Sequence, residues 1–321
     1  MASLNGSSQE PVTILVPVYN AKSTIKAGLN SILAMARAQD EVLIIDDGSV
    51  DNSLAELKKY SNMDSRINLI SCRHKGLVEV LNFGMRVSAN ELIARADIDD
   101  TYQPNRLLVQ VTAISRSREI SAVFSDYKVL SVKGANLGVI PSACTYDLTK
   151  LSLINHHRTP HPSVLFRKES VIAAGGYINE DFPAEDYALW SRLSIFSKIC
   201  SVPQVLLNYT LNPNGISSTR TAEMKKKNLM LQLEVKKNLD VEMYRNSLSV
   251  ELSKLDEVGL AAERKLLTIR DYIKLLALNE YGWQKISKEV LHQVKALDLK
   301  PSVGALIKLD LQRRRRAWDR H

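Results

Sequence analysis

The sequence predicts an α/β fold, a parallel sheet with helices on both faces, followed by a helical C-terminal region. Three observations predict it. β-branched apolar runs and helix-period segments alternate four times within about ninety residues, the signature of successive strand–helix–strand units. Each polar cluster with chemical potential stands directly after a strand end, where such sheets bind ligands. Beyond about Arg220 the pattern becomes long and helical, rich in Lys, Glu and Leu, with Pro301 the only proline. That shift places a domain boundary between 1–220 and 221–321.

The elements follow in order. Val12 to Val18 reads as a buried strand that stops at Pro17 and Asn20. Ser23 then caps a helix whose apolar positions are Ile25, Leu29, Ile32 and Leu33. Glu41 to Ile45 is a second strand, halted by Asp46-Asp47-Gly48-Ser49. Asp51 or Asn52 opens a helix through Leu54, Leu57 and Tyr60. Ile67 to Ser71, Leu77 to Val87 and Leu92 to Ala96 give strand, helix and strand, the last running into Asp97. Later, Ser121 to Tyr127, Lys128 to Val132, Ser163 to Phe166 and Val205 to Leu211 read as strands, and Asp186 to Phe196 as a helix.

A chain of 321 residues with 45% apolar and 24% charged content buries a full core and is not disordered. Cys72, Cys144 and Cys200 lack any Cys-x-x-Cys pair, so they read as reduced thiols of a cytoplasmic protein. The polar start, Met1 to Gln9, has no signal-peptide pattern. The best apolar stretch, Leu266 to Leu278, is interrupted by Arg270, Asp271 and Lys274, so no membrane span is expected. Of the net charge of +8, +5 falls in the last 22 residues, which include Arg313 to Arg316. Such a tail either contacts an anionic membrane face or is simply solvated. Nucleic acid is not an expected partner, because the basic excess lacks interleaved aromatics.

Asp97-Ile98-Asp99-Asp100 stands just past the fourth strand. In an extended segment, residues two apart point to one side, so Asp97 and Asp99 share a target while Ile98 faces away. Hard oxygen ligands with open positions suit Mg²⁺ or Mn²⁺ completed by substrate phosphates. Taken alone, Asp-x-Asp is weak, and an acidic turn before Pro104 is the plainer reading. Asp46-Asp47-Gly48-Ser49 is likewise a common turn. Its place beside the loop after the first strand lets a carboxylate accept hydrogen bonds from a base or ribose. Glu185-Asp186 opens a helix after Pro183, where acids are common for dipole reasons. Side chains one apart on a helix diverge by about 100°, so only one of the two faces a given site. His157 and His161 are four apart, but Pro160 breaks the helix that a zinc motif of that spacing requires. His161 reads as a loop residue on the substrate side, and Trp190 as core by its helical stripe.

Taken together, the ordered motifs resemble glycosyltransferase family 2. They are Val16-Pro17-Val18-Tyr19-Asn20, Asp46-Asp47-Gly48-Ser49, Asp97-x-Asp99-Asp100, Pro104-x-Arg106, His161-Pro162-Ser163, Gly175-Gly176-Tyr177 and Glu185-Asp186-Tyr187-x-Leu189-Trp190. The resemblance covers roughly residues 10–220 and implies the GT-A fold. It implies that Pro17, Tyr19, Asp46, Asp47, Lys75 and Asp97 hold the nucleotide-sugar donor, and that Asp99 ligates Mn²⁺ or Mg²⁺. Asp186 becomes the general base, with Glu185, His161 and Trp190 on the acceptor side. The implied activity is inverting transfer from a UDP-sugar to a saccharide or lipid-linked hydroxyl in cell-envelope polysaccharide synthesis. Two segments depart from the pattern. His74-Lys75-Gly76-Leu77 replaces a frequent Asn-x-Gly-Leu, and Tyr209-Thr210-Leu211-Asn212 replaces Tyr-Arg-x-His. The alternatives are a sugar nucleotidyltransferase, disfavoured by the glycine-free loop Tyr19 to Ser23, and a non-catalytic nucleotide-sugar-binding protein.

Overall fold

Strand β1 (Val12–Val18) is apolar except for Thr13 because both of its faces are covered. The computed structural model describes residues 10–142, 159–213 and 215–237. In it, β1 pairs in parallel with β2 (Glu41–Asp46) on one side and β4 (Leu92–Arg95) on the other. β2 pairs in parallel with β3 (Ile67–Ser71). Helices α1 (Ile25–Met35), α2 (Ser53–Met63) and α3 (Leu77–Val87) make the crossovers. The period-two alternation of buried strands sorts the core into two layers. Ile14, Val16, Val42 and Ile44 pack with Leu29 and Ile32 of α1, while Leu15, Leu43 and Ile45 pack with Val78, Leu81 and Met85 of α3.

The second half departs from a wholly parallel sheet. The strand order is β3-β2-β1-β4, then β8 (Leu165–Arg167), β6 (Ile120–Ser131), β9 (Lys198–Leu211) and β5 (Thr101–Tyr102). β8 runs antiparallel to both β4 and β6, and β9 runs parallel to β6. The two-residue strand β5 and β7 (Asn136–Ile140) are antiparallel to β9 and β6. The strands expected over Ser121–Tyr127 and Lys128–Val132 are one strand. Its register shifts on either side of Asp126, which breaks the apolar alternation. The strand expected from Val205 begins at Lys198. The segment expected as Ser163–Phe166 is a 3₁₀ turn (His161–Ser163) leading into β8. Ser23 does not cap α1: Thr24 holds the cap position, and its hydroxyl donates to the Ala21 carbonyl instead.

Helix α4 (Arg106–Ile114), unread in the sequence, explains Pro104-x-Arg106. The Arg106 side chain is fully buried, and burial lowers its pKa to about 10. Its Nη2 donates to the Arg95 and Val164 carbonyls, its Nε donates to Gln110 Oε1, and its guanidinium lies 4.8 Å from the Tyr102 ring centre. Gln110 Nε2 in turn donates to the Val123 and Ser163 carbonyls. One helix thus binds the strands on either side of the sheet's parallel–antiparallel junction.

Short helix α5 (Lys168–Ala173) follows β8, and α6 (Glu185–Phe196) precedes β9. After β9 come α7 (Ile216–Thr219) and α8 (Thr221–Lys237). Helix α8 lies against α6, and Leu231 packs on the α3-side core layer. Residues 238–321, with the basic tail from Lys300, lie outside the described residues, as do Cys144, His156 and His157. No helix among the described residues is long and apolar enough to cross a membrane.

Gly28 on α1 faces the turn that follows β4. A Cβ there would fall well inside van der Waals contact with the Ile98 carbonyl oxygen. Gly28→Ala is therefore expected to cost about 1–3 kcal/mol in urea unfolding by overpacking. Because the displaced carbonyl stands between Asp97 and Asp99, turnover falls as well, by up to about 10²-fold. Unchanged stability and turnover would show that the turn yields freely.

Candidate active site

The first group stands at the carboxyl end of β4. Residues 97–100 form a turn rather than the extended segment expected, with Asp100 N–H donating to the Asp97 carbonyl at 3.4 Å. Tyr102 pins the turn: its hydroxyl oxygen accepts from Asp97 N–H at 2.6 Å and its O–H donates to the Asp97 carbonyl at 3.1 Å. Ile98 points inward, as expected, and is buried against α1. The turn brings in a third acid. One oxygen each from Asp97, Asp99 and Asp100 lies within 4.8 Å of the others.

Each acid has a distinct support. Asp97 Oδ1 accepts from Nη2 of the fully buried Arg95 at 2.7 Å. Asp99 Oδ2 accepts from Asn212 Nδ2 at 3.1 Å, and Asp100 Oδ1 from Thr210 N–H at 2.7 Å. Asp100 Oδ2 is buried with no partner among the described residues. Burial, then the neighbouring Asp97, raises the Asp99 carboxyl above its usual range. Burial, then Asp97 and Asp99, raises Asp100 further. Three carboxylates, one with an orphaned oxygen, whose ionisation is penalised by burial and by their own crowding, fit a divalent cation such as Mg²⁺ or Mn²⁺.

The second group joins the ends of β1 and β2. Asp47 N–H donates to the Val18 carbonyl at 2.8 Å, and Asn20, at φ 49°, takes part in three bonds to the opposite loop, one of them a long bond from Asp51 N–H at 3.4 Å. Its N–H donates to Ser49 Oγ and its Oδ1 accepts from Val50 N–H, both at 2.9 Å. Pro17 is half-buried beside Ile45, and Tyr19 is 47% exposed. Asp46 is fully buried. Its Oδ2 accepts from Ser71 Oγ at 3.1 Å, while Oδ1 has no partner among the described residues. Asp47 accepts from Lys75 N–H at 2.7 Å and from Gly76 N–H at 2.9 Å. The Lys75 side chain itself is exposed. Gly48, at φ 71°, leaves no room for a Cβ, which would meet His74 N and the Cys72 carbonyl.

The third group opens α6. Asp186 is half-buried, with Oδ1 accepting from Tyr187 N–H at 2.6 Å. Glu185 turns inward, and its Oε2 is buried without a partner among the described residues. Burial and then Asp186 raise the Glu185 pKa to about 7, with Arg95 lowering it and Asp97 raising it. Glu185 therefore lies within the electrostatic reach of the Asp97 turn. His161 is 8% exposed, and its Nε2 is 2.7 Å from the Tyr177 hydroxyl. Trp190 is fully buried, edge-on to Phe124 at 5.3 Å and close to Phe166 and His161. The acceptor-side place expected for Trp190 is closed to a substrate by those rings, and its core reading holds.

The model of the family described as "Glycosyl transferase family 2" matches residues 13–172. The chain belongs to glycosyltransferase family 2. An "Uncharacterized glycosyltransferase" of Haemophilus influenzae is 25% identical over 92% of this chain and 95% of its own. The Escherichia coli "UDP-Glc:alpha-D-GlcNAc-diphosphoundecaprenol beta-1,3-glucosyltransferase WfgD" is 29% identical over 67% and 83%. Among solved structures, S. aureus TarS 1–349 in complex with UDP-GlcNAc superposes with a TM-score of 0.58 at 16% identity, covering 89% and 83% of the chains. The mannosyltransferase PcManGT from Pyrobaculum calidifontis, in complex with GDP-Man and Mn²⁺, gives 0.52 at 15%, covering 89% and 86%. These structures establish the GT-A fold for this family 2 glycosyltransferase.

Sequence reasoning missed Asp100, Thr210 and Asn212 as parts of the acid cluster. No local signal ties β9 to a turn about 110 residues earlier; only the β5–β9 pairing does. Glu185 gives this transferase a testable pH dependence. Its folded pKa of about 7 exceeds the ordinary 4.5. Its contribution to stability is thus full below pH 4.5 and is lost as pH rises through 7, amounting to about 3 kcal/mol. Glu185→Gln is expected to gain stability over the wild type by up to that amount between pH 4.5 and 8, measured by urea unfolding. Parallel stability–pH curves for the two proteins would show that Glu185 does not titrate in this range.

Proposed function

We propose that this glycosyltransferase moves a hexosyl or N-acetylhexosaminyl group from a UDP-sugar to a hydroxyl of a saccharide or lipid-linked acceptor, with inversion. The observation that carries the reading is the division of its acids. Three crowd together at the end of β4 with an orphaned buried oxygen, while the half-buried Asp186 stands on a separate element, in the first turn of α6. The names of the relatives support a uridine donor and a lipid-linked acceptor.

In this reading Tyr19, Asp46 and Asp47 hold the base and ribose, and Lys75 approaches the phosphates. Asp186 takes the proton of the acceptor hydroxyl as its oxygen attacks the anomeric carbon from the face opposite the diphosphate. The anomeric C–O bond breaks, the diphosphate leaves with the bonding electrons, and one displacement inverts the centre. Mn²⁺ or Mg²⁺ on Asp97, Asp99 and Asp100 would neutralise charge on the departing diphosphate. Glu185, buried beside the base, keeps Asp186 at the site edge. His161, its Nε2 at the Tyr177 hydroxyl, stands on the acceptor side. The division into 1–220 and 221–321, and a cytoplasmic enzyme held at the inner membrane face by its basic tail, belong to the same proposal.

Thermal shift and UDP release with Mn²⁺ across a nucleotide-sugar panel test it. UDP-sugars are expected to stabilise the protein and to be slowly hydrolysed. Stabilisation by GDP-sugars alone, or by none, would overturn the donor assignment.

A further inference from the structure

We infer that His74 is a positioning residue for the donor's nucleobase: its imidazole holds the Tyr19 phenol as the platform on which the base stacks. This rests on the nucleotide-sugar reading above. The two rings are stacked, with centroids 4.3 Å apart and planes inclined by 25°. A base cannot enter between them, since that needs a gap of about 7 Å, twice the normal contact distance. The base therefore takes the outer face of Tyr19, in the order base, Tyr19, His74.

Tyr19 has no other restraint. It is 47% exposed, makes no hydrogen bond among the described residues, and has His74 as its ring contact. An unheld phenol at a loop tip samples several rotamers, and ordering it would weaken binding. His74 is fixed at its other end. Its Nδ1 lies 2.9 Å from Asp47 Oδ2 and 3.1 Å from the Asp47 carbonyl. Both neighbours are acceptors, so Nδ1 carries the proton and donates. Asp47 also accepts from the N–H groups of Lys75 and Gly76, which fastens the whole 74–76 loop to the end of β2. The position where this sequence departs from the family's frequent asparagine thus carries a ring with a task of its own.

The test compares ligands with and without a base. Affinities for UDP and for inorganic pyrophosphate, both with Mn²⁺, are measured by calorimetry on the wild type, His74→Ala and His74→Phe. The Ala variant is expected to bind UDP about tenfold more weakly and pyrophosphate as the wild type does. The Phe variant keeps the ring but loses the Asp47 bond that fixes it, and is expected to recover part of the loss for UDP. Equal UDP affinity in His74→Ala overturns the inference, as does a loss shared equally by pyrophosphate, which would mark a loop defect. Failure of Phe to rescue also overturns it, because the hydrogen bond and not the ring would then matter. A wild type that binds pyrophosphate but no uridine nucleotide would instead sink the donor assignment itself.

Discussion

Asp186→Asn is expected to lower the transfer rate by about 10³-fold or more while leaving UDP affinity unchanged. General-base catalysis contributes about 10²–10⁴-fold. A hydroxyl with no acceptor for its proton attacks the anomeric carbon only as a poor nucleophile. The substitution is nearly isosteric, and the asparagine Oδ1 can still accept from Tyr187 N–H, so the first turn of α6 is preserved. The donor-side groups lie at or just past the ends of β1, β2, β3 and β4, on separate elements from α6. Single-turnover transfer and UDP titration separate the two effects. Near-wild-type turnover would remove Asp186 from the chemistry. Loss of UDP affinity together with turnover would mark a fold defect. The neighbouring Glu185→Gln supplies the contrast, since its buried carboxyl has no route to an acceptor and its main effect is expected on stability.

The sequence disclosed the first half of the fold better than the second, for a physical reason. Strands β1, β2 and β4 are buried on both faces, so they read as nearly continuous apolar runs, and the expected bounds of β1, β3 and α3 are the observed ones. β9 starts among Lys198, Ser201 and Gln204, and β6 shifts register at Asp126, so neither shows a clean period. Strand direction leaves no local mark either, which is why the antiparallel insertion of β8 went unread. At the site, a carboxylate after a strand is visible in one dimension, as Asp97 and Asp99 were. Its partners are not. Asn212 against Asp99, Thr210 against Asp100, Gly28 against Ile98 and His74 against Tyr19 all arise from chain crossings that only folding creates.

Asp99→Asn is expected to move two measurements in opposite directions, and the opposition is the diagnostic. Asp99 is held above its usual ionisation range by burial and by Asp97, and its charge in turn raises Asp100. Removing that charge relieves repulsion among groups within 4.8 Å of each other. Without metal, the variant is therefore expected to unfold at the same or a higher temperature than the wild type at neutral pH. The bond from Asn212 can be kept, because the asparagine oxygen still accepts from Nδ2. With Mn²⁺ the order reverses. A carboxylate ligand is lost, so the stabilisation that follows from binding to the folded state shrinks or disappears. Transfer falls by about 10²-fold or more, as expected when charge on a leaving diphosphate goes uncompensated. A purely structural acid behaves otherwise: its loss weakens the metal-free protein and leaves any response to Mn²⁺ intact. If Mn²⁺ raises the unfolding temperature of Asp99→Asn as much as that of the wild type, the acid cluster is not the metal centre. The orphaned Asp100 oxygen would then need another partner, and charge compensation for the diphosphate would fall to Lys75.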